Sequence, residues 1–244
     1  MSSGSDCWNT GSYTDCYVAF LDMLAFKKEI LNKEHDEVLR IFQRIQNFTE
    51  RIQKVKTEKE IHKGCSQIKI RIMSDSVVFA IPSEVRYSLS ALIFAAGTTQ
   101  VELMIKEKVF FRGGIARGKF FIDKDTMYGP GLTRAYEMEE KYAVYPRIIL
   151  NGKLMKDYID NTLKMGYVLR QNHLEQVVKK DEFYDERLFV NFLGRIKAIE
   201  KQDGKDYARD IIEYTKQTLL ESDDLRVREK HIWLKRQLNS LDII

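Results

Sequence analysis

The chain has 244 residues, 40 Lys and Arg against 36 Asp and Glu, 44% hydrophobic and 31% charged residues and only 3 prolines. That is the composition of a folded globular protein, not of a disordered, collagenous or channel-forming one. The net charge of +4 is dispersed among acids, too weak a balance to argue a nucleic-acid partner. Cys7, Cys16 and Cys65 make neither a C-x-x-C pair nor a zinc-ligand spacing, which points to a reducing, cytoplasmic setting. No apolar run reaches the ~20 residues of a bilayer span and residues 1–12 lack a leader core, so no membrane role is expected.

Residues 1–12 read as a disordered tail. Tyr17-Val18-Ala19-Phe20-Leu21 is a continuous β-prone run, a buried strand that delivers Asp22 to its C-terminal end. From His35 to Lys59 apolar residues recur every three or four positions (Val38, Ile41, Ile45, Phe48, Ile52, Val55), the stripe of a long helix. Ile68, Ile70 and Ile72 then alternate with Lys69 and Arg71. Ser74-Asp75-Ser76 interrupts and Val77 to Ile81 resumes, a β-hairpin with Asp75 at its turn. Ser83 is the expected N-cap of a second helix, with Gly97 in its middle. Val109-Phe110-Phe111 opens a strand running through Arg112-Gly113-Gly114 to Ile122, and a turn at Asp123 to Asp125 leads to a helix opened by Tyr128-Gly129-Pro130-Gly131. Pro146 to Leu150 forms the next strand. The order is βαββαβ with one further α/β step, an α+β ferredoxin-like core.

Beyond it the spacing predicts a helix over Lys153 to Leu163, strands at Tyr167 to Leu169 and Leu188 to Phe192, and charged helices broken near Gly204 and Asp223-Asp224. The expected organisation is a core over 13–155 and a mostly helical C-terminal elaboration over 156–244, packed on the core or on a partner subunit. Trp8, Trp233, His35, His62, His173 and His231 show no spacing of a relay or metal cluster and read as structural.

Taken singly, Asp75 reads as a turn residue and Asp22 as a helix cap. In a βαββαβ sheet, however, their strands are adjacent. Two converging carboxylates suit Mg²⁺ or Mn²⁺, whose paired ions activate an attacking hydroxyl and hold a triphosphate.

Phe20-Leu21-Asp22-Met23-Leu24-Ala25-Phe26 resembles the F-x-D-I-x-G-F signature of class III nucleotidyl cyclases, and Met73-Ser74-Asp75-Ser76 falls where their hairpin G-D sits. Arg112-Gly113-Gly114-Ile115 is similar to their R-x-G-I strand, and Tyr128-Gly129 through Met138-Glu139 to their W-G…R-M-E segment. The resemblance implies two divalent metal ions on Asp22 and Asp75, with Met23 in the metal set. It also implies a phosphate cradle of backbone amides from Met23, Leu24, Ala25 and Phe26, with Lys27 adding charge.

The chain departs from that family where Thr133 replaces its helix Asn and Glu137 its transition-state Arg. Arg134, Arg112 and Arg117 are the candidates to stabilise a transferring phosphoryl group in its place. The base-reading positions are Arg71 and Thr126, matching neither the adenine nor the guanine pair. The departures, with Asp185 to Leu193 downstream, resemble the bacterial pyrimidine cyclases of the Pycsar antiphage systems. That resemblance implies conversion of UTP, or alternatively CTP, to a 3′,5′-cyclic nucleotide at sites shared across a homodimer, and a separate effector reached through the product. A catalytically silent nucleotide sensor on the same fold is the rival reading. A polymerase palm is disfavoured by the short chain and the lack of a basic stripe.

Overall fold

The computed structural model describes residues 8–9, 11–26, 31, 33–54, 67–164 and 177–243. Strand β1 (Thr14–Met23) is followed by helix α1 (His35–Lys54), the hairpin β2 (Lys69–Met73) and β3 (Ser76–Pro82), and helix α2 (Ser88–Glu107). Then come β4 (Phe111–Ile122), the short β5 (Met127–Tyr128), α3 (Pro130–Tyr142), β6 (Ile148–Leu150) and α4 (Gly152–Lys164). The C-terminal third adds β7 (Val178–Lys180), β8 (Leu188–Val190), α5 (Phe192–Asp203), α6 (Tyr207–Glu221) and α7 (Leu225–Asn239).

The strands form one sheet in the order β2-β3-β1-β4-β6-β8-β7, with β5 paired to β4 alone. Its first four strands are antiparallel neighbours, the split βαβ arrangement expected from the sequence. β6 joins β4 in parallel. β8 and β7 extend the same sheet, so the C-terminal third is built into the core and not merely laid on it.

From Cys16 to Leu21 β1 is apolar because both its faces are covered. Tyr17, Ala19, Leu21 and Met23 pack with α1, α2 and α4, whereas Cys16, Val18 and Phe20 pack towards α3. α2 is long and apolar enough to cross a membrane, but it is buried within the protein. Its Leu89, Leu92 and Ala96 join the sheet cluster, while Val101, Met104 and Ile105 pack against Phe192, Ile211, Trp233 and Leu234 of the C-terminal helices. Gly97 does not interrupt it. A Cβ there would lie 2.7 Å from Val190 Cγ1 and 2.8 Å from Arg195 Nε, so the glycine admits the C-terminal elements.

The structure differs from the sequence expectations in several places. α2 is capped by Tyr87, in the left-handed region, and not by Ser83. The Ser83 hydroxyl instead donates to Asp15 Oδ2 at 2.7 Å. β4 begins at Phe111 because the Phe110 carbonyl is turned to accept the Leu24 N–H at 2.8 Å. Asn191 ends a strand shorter than expected by capping α5, its side chain accepting from Gly194 N–H at 3.1 Å. β7, too short to show a period, was not expected. Within the presumed tail Trp8 is buried, its indole donating to the Gln67 carbonyl at 2.9 Å with Lys69 over the ring. Residues 55–59 of the expected first helix, the expected strand at 167–169, Cys7, Cys65, His62 and His173 lie outside the described residues.

A buried ion network joins the C-terminal third to the core. Arg147, just before β6, is fully buried and hydrogen-bonds Asp181, itself fully buried, and Asp185 Oδ2 at 2.7 Å. Asp181 also accepts from Trp233 Nε1 at 2.8 Å and Gln237 Nε2 at 3.2 Å, both on α7. Asp181→Ala therefore leaves a buried guanidinium short of a partner and frees the Trp233 indole. The expected loss is about 3 kcal/mol, read by urea denaturation, with altered Trp233 fluorescence.

Candidate active site at the end of β1

Asp22 is the first charge that β1 can carry on the face it shares with Phe20. It pairs across the sheet with Ser76 on one side and Arg112 on the other. Asp75 occupies the two-residue turn between β2 and β3, where Ser74 takes the left-handed region at φ 51°. The Met23 N–H donates to the Asp75 carbonyl at 2.8 Å, so one backbone bond fastens the turn to the end of β1 and brings the two acids together. Burial raises the Asp22 carboxyl above its ordinary value. Arg112 counters by charge and hydrogen bond, and the Asp75 charge adds to the rise.

Arg112 Nε lies 3.2 Å from Asp22 Oδ2 and 2.6 Å from Glu139 Oε1. Glu139, on α3, is buried at 2% exposure. It reaches Arg112 because Gly114 lets α3 close on β4; a Cβ there would sit 2.4 Å from the Ala135 carbonyl oxygen and 2.5 Å from Met138 Cβ. Burial pushes the Glu139 carboxyl up to about 7 against the pull of Arg112. The guanidinium expected to face a phosphoryl group is thus held between two carboxylates. Glu139 was not singled out from the sequence as a site residue, because what marks it, the arginine opposite Asp22, is set by the sheet and not by the local sequence.

The backbone cradle is narrower than expected. The Met23 and Leu24 amides are taken by the Asp75 and Phe110 carbonyls, both at 2.8 Å. Ala25 and Phe26 remain as the described amides of the turn able to meet a ligand, and Lys27 lies outside the described residues. Ala25 sits at φ 63°, the conformation a glycine would take without strain. Phe26 anchors the turn edge-on to Phe42 of α1, ring centroids 5.9 Å apart. The Met23 side chain is in the core, so its carbonyl is what it can offer a metal. Among the described residues no three His, Cys, Asp or Glu side chains gather as a metal site. Two carboxylates and a carbonyl fit Mg²⁺ or Mn²⁺, hard ions that take their other oxygens from phosphates and water.

Arg71 and Thr126 come together around Asp123. The Arg71 guanidinium donates to the Asp123 carbonyl. Asp123 Oδ1 accepts from the Asp125 and Thr126 amides at 2.9 and 2.7 Å. Arg134 is elsewhere: its Nη1 donates to the Arg117 carbonyl at 3.1 Å, and Arg117 is paired to Asp15 at 2.7 Å and stands opposite Tyr17. Five residues of β1 separate that level from Asp22, about 17 Å at the usual strand rise. Thr133, Arg134 and Glu137 line an open groove of about 520 Å³ with Tyr13 and Tyr128.

No protein-family model matches the chain, and no curated protein matches it. Among solved structures it is similar to the dimeric guanylyl cyclase domain of the RhoGC fusion protein from the aquatic fungus Blastocladiella emersonii, at 13% identity and a TM-score of 0.47 over 73% of this chain and 93% of that one. It is similar to the guanylate cyclase domain of RhGC from Catenaria anguillulae in complex with GTP, at 13% identity and a TM-score of 0.46 over 74% of this chain and 96% of that one. A bacterial light-regulated adenylyl cyclase matches at 12% identity and a TM-score of 0.43 over 74% of this chain and 91% of that one.

Glu139 gives the site a pH signature. Between its ordinary 4.5 and about 7 the folded protein keeps a proton that the unfolded chain releases, so stability falls as pH rises through that window. The Glu139→Gln variant loses this contribution. Relative to it, the wild type is expected to lose up to about 3 kcal/mol between pH 4.5 and 8, measured by urea denaturation of both proteins across that range.

Proposed function

We propose that the protein is a nucleotidyl cyclase that converts UTP to 3′,5′-cyclic UMP and pyrophosphate. The observation that carries the reading is the pairing of Asp22 and Asp75 at the ends of adjacent strands, clamped by the Met23–Asp75 backbone bond. Divalent ions held by Asp22, Asp75 and the Met23 carbonyl would supply Lewis acidity towards the ribose 3′-oxygen and screening of the triphosphate. The 3′-oxygen attacks the α-phosphorus in line, its proton leaves, and pyrophosphate departs. The chain's own work is positioning. Arg112 orients Asp22 from one side and is itself held by Glu139. The Ala25 and Phe26 amides face the phosphates.

Arg71 and Thr126, joined through the Asp123 turn, are the proposed base-reading pair. A guanidinium can donate to the carbonyl oxygens of a pyrimidine. UTP is placed ahead of CTP on the resemblance to uridylate cyclases alone, and so is the role of the product as a second messenger to a separate antiphage effector. A silent sensor is favoured by one observation, the engagement of Arg112 by two acids in a chain with Glu137 at the position of the transition-state arginine.

The Arg117 carbonyl that Arg134 holds lies level with Tyr17, about 17 Å along β1 from Asp22, so a shared role for Arg134 and Asp22 calls for a second copy. A two-fold partner would bring Arg134 of one copy to Asp22 of the other, giving a homodimer with two composite sites.

Purified protein incubated with ATP, GTP, CTP and UTP in Mn²⁺ is expected to yield cyclic UMP by mass spectrometry, and Asp75→Ala none. Cyclic CMP as main product corrects the base, and no cyclic product from folded dimer favours the sensor. Mixing Asp75→Ala with Arg134→Ala chains in equal amounts is expected to restore about a quarter of wild-type activity, since half the dimers are mixed and each carries one intact site. Absence of restoration argues against the shared site.

A further inference from the structure

Behind the turn that follows Asp22 lies a second, partly open cavity of about 110 Å³, away from the groove lined by Arg134. One wall is Leu24 and Ala25; the others come from the segment just before β4, from Pro146 and from α6 and α7. Val109, Phe110, Val227 and Leu234 make it mostly apolar, and Lys108, Lys230, His231, Tyr214 and Thr218 bring polar groups to it; the Thr218 hydroxyl is spent on the Tyr214 carbonyl at 3.0 Å.

The two lysines and the histidine are under-partnered. Lys230 makes no salt bridge or hydrogen bond among the described residues, although Asp22 and Asp224 lie within electrostatic reach. Lys108 donates to the Ile105 carbonyl at 3.0 Å and feels Asp210 without forming a salt bridge to it. Burial and, for Lys230, the nearby Arg112 lower the affinity of both amines for their protons. His231 Nδ1 is buried with no hydrogen-bond partner, and burial with the Lys230 charge pushes its imidazole down to about 4, so the ring is neutral at pH 7. Two half-buried amines with no salt bridge among the described residues and one buried ring nitrogen without a hydrogen-bond partner thus border a small, mostly apolar chamber, where a carboxylate would find opposite charge.

We propose that this cavity binds a small organic carboxylate, its oxygens taken by Lys108 and Lys230 and its short apolar body by Leu24, Phe110, Val227 and Leu234. The volume is the room of about four waters, too small for a nucleotide and suited to an acid of a few carbons. A carboxylate fits better than phosphate, because the apolar walls penalise a dianion more. The occupant would rest against Leu24 and Ala25, and so against the turn that places Asp22. The proposal does not depend on the cyclase reading, since its test reads binding.

The test is a titration of the full-length protein with butyrate, followed by methyl NMR of leucine and valine residues assigned by substitution. Saturable shifts confined to Leu24, Val109, Val227 and Leu234 are expected, with a Kd of roughly 1 mM for so small a ligand. Butyramide, its neutral analogue, and inorganic phosphate are expected to leave these methyls unmoved. In Lys230→Met, which keeps the aliphatic stem, butyrate affinity should fall at least ten-fold with the unfolding midpoint unchanged. Lys108→Met provides the same reading should the first variant fail to fold. Absence of saturation by butyrate, equal shifts with butyramide, tighter binding of phosphate, or undiminished affinity in a folded lysine variant would each overturn the proposal.

Discussion

Strand β1 is paired along both edges and covered on both faces from Cys16 to Leu21, so between Asp15 at its exposed start and Asp22 at its end it has no place for a charge. Seven residues pair with β3 and ten with β4, which fixes the register on both sides at once. A slip by one residue would turn Asp22 into the core and expose Leu21. The location of the acid is therefore a consequence of burial, and the β2–β3 turn is held against it by the same ladder. That is why a carboxylate with a raised proton affinity and a second carboxylate arrive together without a dedicated scaffold.

Charge around this point is arranged in layers. Asp22 is answered by Arg112, Arg112 by Glu139, and Glu139 is reachable because a glycine on β4 lets α3 descend. Each partner limits what the previous one can do. An arginine flanked by two acids is a strut that sets the direction of a carboxylate, whereas Arg134, bonded to a single carbonyl oxygen, keeps most of its donors for another molecule. Two arginines equivalent in sequence are separated in role by their surroundings.

Much of the core was legible because its signals are periodic or local. The unbroken run of β1, the stripe of α1, the hairpin around Asp75 and the breaks between the C-terminal helices near Gly204 and Asp223-Asp224 all follow from local signals. What escaped notice depends on distant partners. Ser83 is a good cap in isolation, yet Asp15 claims its hydroxyl. Three-residue strands such as β7 show no period. Glu139 looks like any helical acid until the sheet places Arg112 beneath it, and the Met23 and Leu24 amides look free until Asp75 and Phe110 take them. Pairings between residues far apart in the chain leave no local mark.

The buried Arg147 network bears on how this chain could be divided. A chain ending after β6 would retain both aspartates, the turn and α3, the whole of the expected catalytic core. It would also strand a fully buried guanidinium without Asp181 or Asp185, open the outer side of α2 to water and leave β6 as a bare sheet edge. The two parts are thus one folding unit, in which the segment that carries neither Asp22 nor Asp75 completes the interior of the segment that does. Shortening the protein to its recognisable motifs would remove the conditions under which those motifs have a shape.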